Sequence, residues 1–414
     1  MRKFLLGTTA LVTAAALAAP ASAAEPIELE LKGYAQFGLA GIVSHPDNVP
    51  DDPQTILDES EFARGNSVVF GSDSEVHFRG KTVLDNGLAV SFRAELELED
   101  DAEVDDDADV IDEVYVQLDG GFGRIQFGMQ DGVADQMIIS APNVFAQFTI
   151  SSIDMNPFEM YTASDIDTRA RDILGVSSYL DTSPDFSGDY TKIIYFTPRV
   201  YGFQLGASYA PNPCRNDTGL DVNTSAAGDS DPDPTASCGS DRVFGSHYWE
   251  VAGNFEKDFK GFGVGLSASY GQGDENTFNG ALSKEPTEWH AGGEFFFKLG
   301  GGKLTVGGAY KETDGLDAEN EGFFAAASQH YDVGAKYSIG PWEIGGAYGK
   351  AETTIFDTRI EDLRMIIGGA SYKMGPGIKL GVGVIHGDAK EGFGDFDFDE
   401  AKGTAVFSEL DLRF

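Results

Sequence analysis

The chain contains six histidines, the side chains most often used in acid–base catalysis. The spacing of these histidines gives no sign of a catalytic site. None lies in the His-Glu-x-x-His spacing of zinc hydrolases, and no Gly-x-Ser-x-Gly turn presents a nucleophilic serine. Catalytic groups on separate strands could still meet in the fold, where spacing along the chain does not reveal them. The sequence therefore predicts a protein that is not an enzyme, with catalysis as the weakest alternative.

A second chemical feature is a run of acids between residues 100 and 109. Asp105, Asp106 and Asp107 lie at its centre, and the run contains no basic residue. Calcium prefers several carboxylate oxygens, but this run lacks the spacing and the required glycine of an EF-hand. Diffuse binding of divalent cations such as Ca2+ and a merely solvated acidic loop both stay open. No confident metal site and no other cofactor are predicted.

The charge of the whole chain argues against one class of partner. Its 68 acidic and 29 basic residues give a formal net charge of -39. Nucleic acid requires basic surface to neutralise its phosphates, so we expect no binding of nucleic acid. The same excess of acids attracts cations.

The first residues predict export from the cell interior. Arg2 and Lys3 precede an uncharged stretch at 4–19, and small residues follow up to Ala23. This order is typical of a signal peptide, which we place at residues 1–23. A membrane-anchoring helix is the alternative, but the apolar stretch is short for one. Residues 24–414 contain no later stretch of the roughly twenty apolar residues that a spanning helix requires, so any membrane crossing must use strands.

The two cysteines of the chain, Cys214 and Cys238, lie in one predicted loop. An exported chain meets an oxidising compartment, where such a pair forms a disulfide. Two free thiols are the alternative. We expect the disulfide, which would restrict the loop between the two residues.

Alternating side chains predict the elements that position these groups. From Leu29 onward, segments such as 88–99 and 203–209 place apolar residues on one face and polar or small residues on the other. Each is about as long as the nine to eleven residues with which a tilted strand crosses a bilayer. Helical spacing does not fit these segments.

The connections between segments alternate between short and long. The seven short turns, each of which contains glycine, lie at 85–87, 119–123, 198–202, 260–261, 300–302, 340–341 and 375–377. The eight long polar connections lie near 42–67, 100–109, 130–173, 210–246, 272–286, 312–327, 354–361 and 389–402. Fifteen links imply about sixteen strands, which predicts an all-β fold: one antiparallel transmembrane β-barrel. A soluble sandwich or propeller would not need this alternation.

Tyrosines recur where strands enter the long connections. Tyr209, Tyr270, Tyr310 and Tyr348 each follow a run of small residues at that end. Aromatic rings with one polar tip favour the boundary between hydrocarbon and headgroups, so the row predicts an aromatic girdle. Ordinary use of tyrosine in strands is the alternative.

The last strand, residues 404–414, predicts how the barrel closes. Val406, Leu410, Leu412 and Phe414 share one face. The other face carries Phe407, Glu409, Asp411 and Arg413. A terminal strand leaves hydrogen-bonding groups open unless it has a partner. We expect the first strand, Leu29–Leu39, to be that partner.

Two hairpins give the chain a family resemblance. Residues 76–97, with the turn Asp85-Asn86-Gly87, and residues 114–128 resemble the general-diffusion porins of Gram-negative bacteria, particularly the sixteen-stranded trimeric kind of proteobacteria. Phe414 is similar to the terminal residue that the barrel-assembly machinery reads. The resemblance implies an integral outer-membrane homotrimer with short periplasmic turns and long outer loops. Lipid and lipopolysaccharide would surround it.

The same resemblance implies a constriction of the pore. The connection after strand five, residues 130–173, would fold back into the barrel. Its acids Asp131, Asp135, Asp154 and Glu159 would then face wall bases. Alternation directs into the lumen the side chains of Lys32, His77, Arg79, Lys81, Arg93 and Arg124. Solvated loop charges are the alternative for each acid.

The implied function is a water-filled channel for passive diffusion of small hydrophilic solutes and ions. The excess of acids predicts a weak preference for cations, which the wall bases could offset within a screening length. The inward set of side chains is mixed and rich in glycine, which favours low selectivity. A substrate-selective outer-membrane channel is the alternative, and a barrel enzyme the less favoured one.

Overall fold

The computed structural model describes twelve segments of the chain. They are 26–44, 68–98, 111–150, 180–184, 186–211, 247–274, 277–278, 281–282, 285–314, 325–355, 359–393 and 396–414. Among these residues, no helix is long and apolar enough to cross a membrane.

The described residues form eighteen strands and one short helix. The strands are β1 (Glu28–Ser44), β2 (Val68–Val83), β3 (Ala89–Glu97), β4 (Ile111–Gly120), β5 (Gly123–Met129), β6 (Thr191–Phe196), β7 (Phe203–Ala210), β8 (Tyr248–Asp258), β9 (Phe262–Gln272), β10 (Thr277–Phe278), β11 (Ala281–Leu282), β12 (Thr287–Leu299), β13 (Gly302–Asp314), β14 (Ala325–Ile339), β15 (Trp342–Ile355), β16 (Arg359–Gly375), β17 (Ile378–Phe393) and β18 (Phe396–Arg413). The helix is α1 (Val133–Gln136).

Sixteen of these strands close into one antiparallel barrel, as the alternation of short and long connections predicts. Each strand pairs with its neighbours along the chain, and β9 pairs with β12 because β10 and β11 form a separate two-stranded sheet. The barrel closes between β1 and β18. Closure gives every strand of the barrel two partners and leaves the barrel without an open edge.

The closing seam confirms the expected partner of the terminal strand. Phe37 lies opposite Leu410 in the register of β1 and β18. At the end of the seam, Gly33 N–H donates to Phe414 O at 3.0 Å, and Phe414 N–H donates to Gly33 O at 3.1 Å. The last residue of the chain is therefore bonded to the first strand by its backbone in both directions.

Polar residues line the inside of the barrel and apolar residues cover its outside. Leu29, Phe78 and Leu205 are exposed on the outer face. Gln126 and Glu250, which alternation places inside, are almost completely buried. This reversal of the usual soluble arrangement is what a barrel surrounded by lipid and filled with water requires.

Aromatic residues form a row on the outer face of seven neighbouring strands. The tyrosines named from the sequence lie on β7, β9, β13 and β15, and aromatic residues of the strands between them complete the row. Ring pairs join Trp249 to Tyr270 at 5.5 Å and Trp289 to Tyr310 at 4.8 Å between centroids. Rings in this position suit the boundary between hydrocarbon and headgroups.

The seven short turns each join neighbouring strands as expected, but two predicted long connections are wrong. At 354–361, β15 runs to residue 355 and β16 begins at residue 359. At 389–402, β17 runs to residue 393 and β18 begins at residue 396. The ladder needs only backbone groups, so polar pairs such as Asp388 opposite Lys402 continue it beyond the apolar band. A polar stretch predicts a loop, but it does not end a strand whose partners are backbone groups.

The predicted end of the connection at 130–173 is also wrong. β6 begins at Thr191, so the connection continues to residue 190. Its last part resembles a strand because it carries spaced apolar residues, yet Leu180 and Tyr190 pack inside the barrel. Residues 151–179 lie outside the described segments.

Candidate functional site: the lumen and its internal loop

The first part of the connection after β5, residues 130–150, runs inside the barrel along its wall. We call this segment the internal loop. It starts beside β4, where Asp131 N–H donates to Glu113 Oε1 at 3.1 Å. It then passes α1, whose Val133 packs with Ile194 of β6 and Ala252 of β8. From there it continues along the wall as far as β18.

Besides Glu113, wall carboxylates bind the backbone N–H groups of the internal loop at three further places. Glu250 of β8 accepts from Ala134 N–H at 3.1 Å. Asp332 of β14 accepts from Ala141 N–H at 3.0 Å. Hydrogen bonds to a charged acceptor are stronger than neutral ones, so each carboxylate is a firm attachment point.

The third carboxylate, Glu409 of β18, binds two neighbouring N–H groups. Oε1 accepts from Ala146 N–H at 2.8 Å, and Oε2 accepts from Gln147 N–H at 3.2 Å. Glu409 is almost completely buried. Both of its oxygens are therefore used to hold the loop rather than to meet solutes.

Amino groups of the wall bind the carbonyl groups of the same segment. Lys336 Nζ donates to Asn143 O at 2.7 Å, and Lys379 Nζ donates to the next carbonyl, Val144 O, at 3.4 Å. Buried backbone groups need partners, and the wall supplies both acceptors and donors to the loop. The loop is thus attached through its main chain, which the sequence of the loop alone does not reveal.

Two phenylalanines anchor the far end of the internal loop. Phe145 and Phe148 pack against Phe407 of β18, with ring centroids 4.7 Å and 4.1 Å away. The same buried cluster includes Leu363 and Ile385 of β16 and β17. The sequence of this connection predicts that its aromatic and apolar residues Phe145, Phe148, Met155 and Phe158 anchor it rather than contact solute, and the packing confirms this for the two phenylalanines. Met155 and Phe158, expected to act likewise, lie outside the described segments.

Inward glycines give the internal loop its space. A Cβ on Gly292 would overlap the carbonyl oxygen of Ile139. On Gly383, it would lie 2.7 Å from the ring of Phe145. The glycine-rich inward faces of β12 and β17 therefore lie under the loop. They do not line an open path, and the sequence argument for low selectivity loses that support.

The wall of β1 to β4 carries the bases that were expected to line the pore. Arg79 of β2 lies directly opposite Arg93 of β3. His77 lies next to them, with Nε2 2.6 Å from Glu75 Oε2. Lys32 of β1 lies opposite His77. These side chains form one basic strip along the lumen.

The nearest partners of this strip are acids of the wall itself. Arg93 pairs with Glu95, and its Nη1 lies 3.9 Å from Glu113 Oε2. Neither Arg79 nor Arg93 forms an ion pair with Asp131 or with the helix residue Asp135 among the described residues. Charges of both signs therefore alternate along the wall, and the expected opposition of loop acids and wall bases stays a prediction.

Lys81 and Arg124 lie nearer the short-turn end of the barrel. Lys81 is two residues from the end of β2. Arg124 follows the turn into β5, and its Nε donates to Asp119 Oδ1 at 3.0 Å. The structure therefore separates these two bases from Arg79 and Arg93 along the barrel axis.

Sequence reasoning missed the carboxylates that attach the loop. Glu113, Glu250 and Asp332 were not singled out, and Glu409 was only assigned to the inner face. A usable signal was present: Glu250 is a lone inward acid between Tyr248 and Ala252 on its strand. Such an acid requires a partner if it is buried.

Three groups of acids and histidine in the described residues have ligand atoms close enough to hold a cation. One consists of Glu75, His77 and Glu95. Arg79 and Arg93 lie beside it, and their positive charge opposes cation binding there. Several residues named from the sequence lie outside the described segments: Asp105, Asp106, Asp107, Asp154, Glu159, Cys214 and Cys238.

Comparison with known proteins decides what kind of barrel this is. A family model described as Gram-negative porin matches residues 7–392. The chain belongs to the Gram-negative porin family. Porins are channels of the outer membrane and not enzymes, which confirms the expected location and the absence of catalysis.

Two relatives of this porin come from Halomonas. One is called a monosaccharide porin, from Halomonas sp, and the other a major outer membrane protein, from Halomonas elongata. Each is 24% identical over 356 residues, which cover 84% of this chain and 79% of the relative.

Solved porins share the fold. An anion-selective porin from Comamonas acidovorans has a TM-score of 0.54 at 15% identity, and OmpT of Vibrio cholerae, in a trimer form, has 0.52 at 12%. Both matches cover 94% of this chain and 100% of the solved one. At these identities the similarity concerns the barrel alone.

Proposed function

We propose that this porin is a water-filled channel for passive diffusion of small hydrophilic solutes and ions. The observation that carries the proposal is the placement of the internal loop, which is bonded to the wall from Glu250 on β8 to Glu409 on β18. The strip around Arg79 and Arg93 lies on β2 and β3, outside the part of the wall to which residues 134–147 are bonded. A lumen that is narrowed by a loop suits passive diffusion.

The constriction would lie between the internal loop and this strip. Arg79 and Arg93 supply positive charge, and the loop contributes Asp131 and Asp135. The sequence adds Asp154 and Glu159 to the loop side, and Lys81 and Arg124 extend the bases toward the periplasm. Such a field orients polar solutes and disfavours apolar ones, which lose water without gaining a partner.

A weak preference for cations is the proposed charge selectivity. It is supported by the net charge of -39 and by Glu75, Glu95 and Glu113 beside the wall bases. In a KCl gradient we expect a reversal potential with the sign of a channel that is more permeable to K+ than to chloride. Arg93→Gln should enlarge it, because a positive charge leaves the strip. Arg124→Gln, which removes the same charge near the short-turn end, should change it less.

A reversal potential of the sign for chloride in the wild-type porin would contradict the cation preference. If the two variants changed the reversal potential equally, Arg93 would not lie at the constriction.

Assembly as a homotrimer is proposed, and the trimer form of the Vibrio cholerae neighbour supports it. Lipid and lipopolysaccharide would surround the outer face, with any Ca2+ held diffusely by outer-loop acids. Residues 1–23 would direct export, and the barrel-assembly machinery would insert the strands. Cys214 and Cys238 would form a disulfide within one outer loop.

A substrate-selective channel is the second candidate, because a Halomonas relative is called a monosaccharide porin. Swelling of liposomes that contain the purified porin separates the two. General diffusion predicts rates that fall smoothly with solute size across sugars, polyols and amino acids. Rapid entry of monosaccharides together with exclusion of smaller, chemically different solutes would favour the selective channel.

A further inference from the structure

A cavity of about 390 Å3 lies between the internal loop and the barrel wall of β12 to β14. Loop residues 138–143 form one side of it, and Glu294, Lys303, Thr305 and Lys336 lie on the wall side. Its volume is at the lower end of the roughly 300–1,000 Å3 of small-molecule sites. The cavity is therefore large enough for a compact solute with a few waters.

The sheet places the polar groups of the wall close together. Thr305 of β13 and Lys336 of β14 are direct cross-strand partners. Lys303 lies two residues away on β13, toward the short turn, and Glu294 of β12 pairs with Gly307 on the other side of Thr305. Two ammonium groups, one hydroxyl and one carboxylate thus line the same cavity.

These groups lack the partners that they would need if the cavity had only a structural role. In the described part of the chain, neither Lys303 nor Lys336 forms an ion pair with a carboxylate, and Glu294 has no hydrogen bond. Lys303 Nζ lies over the ring of Phe296, 4.9 Å from its centroid. Lys336 uses one donor on Asn143 O and keeps two.

Thr305 gives evidence for a bound solute that does not depend on the charged side chains. It is 2% exposed, and its Oγ1 has no hydrogen-bond partner. Buried hydroxyl groups in folded proteins are nearly always bonded to protein, water or ligand. An unsatisfied hydroxyl beside two ammonium groups that form no ion pair among the described residues indicates a site that accepts an oxygen-bearing anion.

We infer that the cavity binds small solutes with two carboxylates and one ammonium group, as in an acidic amino acid. The carboxylates bind Lys303 and Lys336, with a hydrogen bond from Thr305, and the ammonium group binds Glu294. Two positive charges and one negative charge on the wall match this solute with opposite signs. The inference rests on the proposed channel function, because the solute reaches the cavity from the lumen.

Single-channel recording in planar bilayers at about 0.1 M KCl tests the inference, since higher salt screens the charges. L-glutamate is added to one side at a time, and glutarate, which has both carboxylates but no ammonium group, serves as the matched probe. We expect L-glutamate to lower the current saturably. Glutarate should require a concentration about tenfold higher for half of the effect, the loss expected for one charged pair.

Three variants assign the site. Lys303→Met should raise the half-blocking concentration of both probes about tenfold, because each loses a charged partner. Glu294→Gln should remove the difference between L-glutamate and glutarate. The control is Lys373→Met, which removes the same charge from another strand, where Lys373 Nζ pairs with Glu343 Oε1 at 3.2 Å. It should leave both half-blocking concentrations within about twofold, a small change in free energy.

Lys303 holds no part of the internal loop by a hydrogen bond, so its replacement leaves the attachment of the loop intact. A current that falls linearly with L-glutamate up to its solubility, in a conducting channel, overturns the site and leaves the channel function standing. Equal block by both probes in the wild-type porin overturns it too, as does equal weakening by Lys303→Met and Lys373→Met. A barrel that carries no current overturns both the site and the channel function.

Discussion

At the scale of residues, single carboxylates on the wall decide where the internal loop lies. Glu250, Asp332 and Glu409 come from strands far apart in sequence, and each binds backbone N–H groups of one short segment. These carboxylates hold the loop, whereas Arg79 and Arg93 lie on β2 and β3, away from these three attachment points. A functional asymmetry of the lumen thus follows from a few hydrogen bonds.

Glu409→Ala should loosen the far end of the internal loop. It leaves one buried and one partly buried N–H group without an acceptor, and a buried group in that state costs roughly 1–3 kcal/mol. We expect single-channel traces of this variant to show added noise and extra conductance levels, because the segment near Ala146 leaves the wall part of the time.

Asp411→Ala is the matched control for that experiment. Asp411 lies two residues along the same strand, is also buried, and pairs with Arg413 at 3.2 Å instead of with the loop. Quiet traces from both variants, or equal noise in both, would show that Glu409 does not hold the loop.

The direction of single side chains could be predicted, but their partners could not. Apolar alternation on β2 and β3 fixes which face carries Arg79 and Arg93, and the same rule places Glu409 inside. The bond between Glu409 and Ala146 joins residues 263 positions apart. No local pattern carries that information, because the loop contributes only backbone N–H groups.

At the scale of elements, the strands follow from alternation and the internal loop does not. The short turns and the β1–β18 seam could be read from the sequence, since each depends on side chains near in sequence or on strand counting. The strand Thr191–Phe196 could also be read from its alternation, but the end of the connection before it could not, because Leu180 and Tyr190 are apolar for packing inside the barrel and not for a strand. The ends of β17 and β18 at their connection could not be read either, because polar residues there still pair through their backbone groups.

Gly292→Ala should detach the middle of the internal loop from the wall. The added methyl group would overlap Ile139 O and disturb the bond from Ile139 N–H to Ser267 Oγ, which is 2.8 Å long. Overpacking of this kind costs roughly 1–3 kcal/mol. We expect a lower midpoint of heat unfolding in detergent, followed by the mobility of the folded barrel on gels.

Gly293→Ala serves as the comparison because it changes the next residue in the same way. Its Cβ points outward and meets the flexible end of Leu266 at 2.9 Å, which can move aside. We expect a near-normal midpoint of heat unfolding for this variant. Equal midpoints for Gly292→Ala and the wild-type porin would contradict the close approach of the loop at this strand.

Deletion of Phe414 should impair assembly more than conduction. It removes both backbone hydrogen bonds to Gly33 at the closing seam, while the lumen keeps its lining. We expect reduced amounts of the folded barrel in outer-membrane fractions and a normal conductance from the molecules that do assemble. Phe414→Leu keeps the backbone pair and should assemble better than the deletion.

Normal outer-membrane levels of the deletion variant would count against the role of Phe414 in closure and assembly. A changed conductance in the assembled fraction would show instead that the seam shapes the pore.

At the scale of the whole molecule, the closed barrel, its inverted surface and the internal loop together define a channel. The barrel and its outer-membrane location were predictable because strand number, the turn alternation and the apolar outer face all follow local rules. The charge preference depends on which acids and bases share the narrowest point. Total composition does not supply that placement, since Glu409 contributes to the net charge while it holds the loop.

Single-channel recording of the purified wild-type porin in planar lipid bilayers tests whether the barrel is an open, water-filled channel. We expect stepwise insertion of open channels, a linear relation between current and voltage, and a conductance that rises in proportion to KCl concentration. Folded barrels that insert without carrying current would contradict it, and so would a conductance that saturates at low salt.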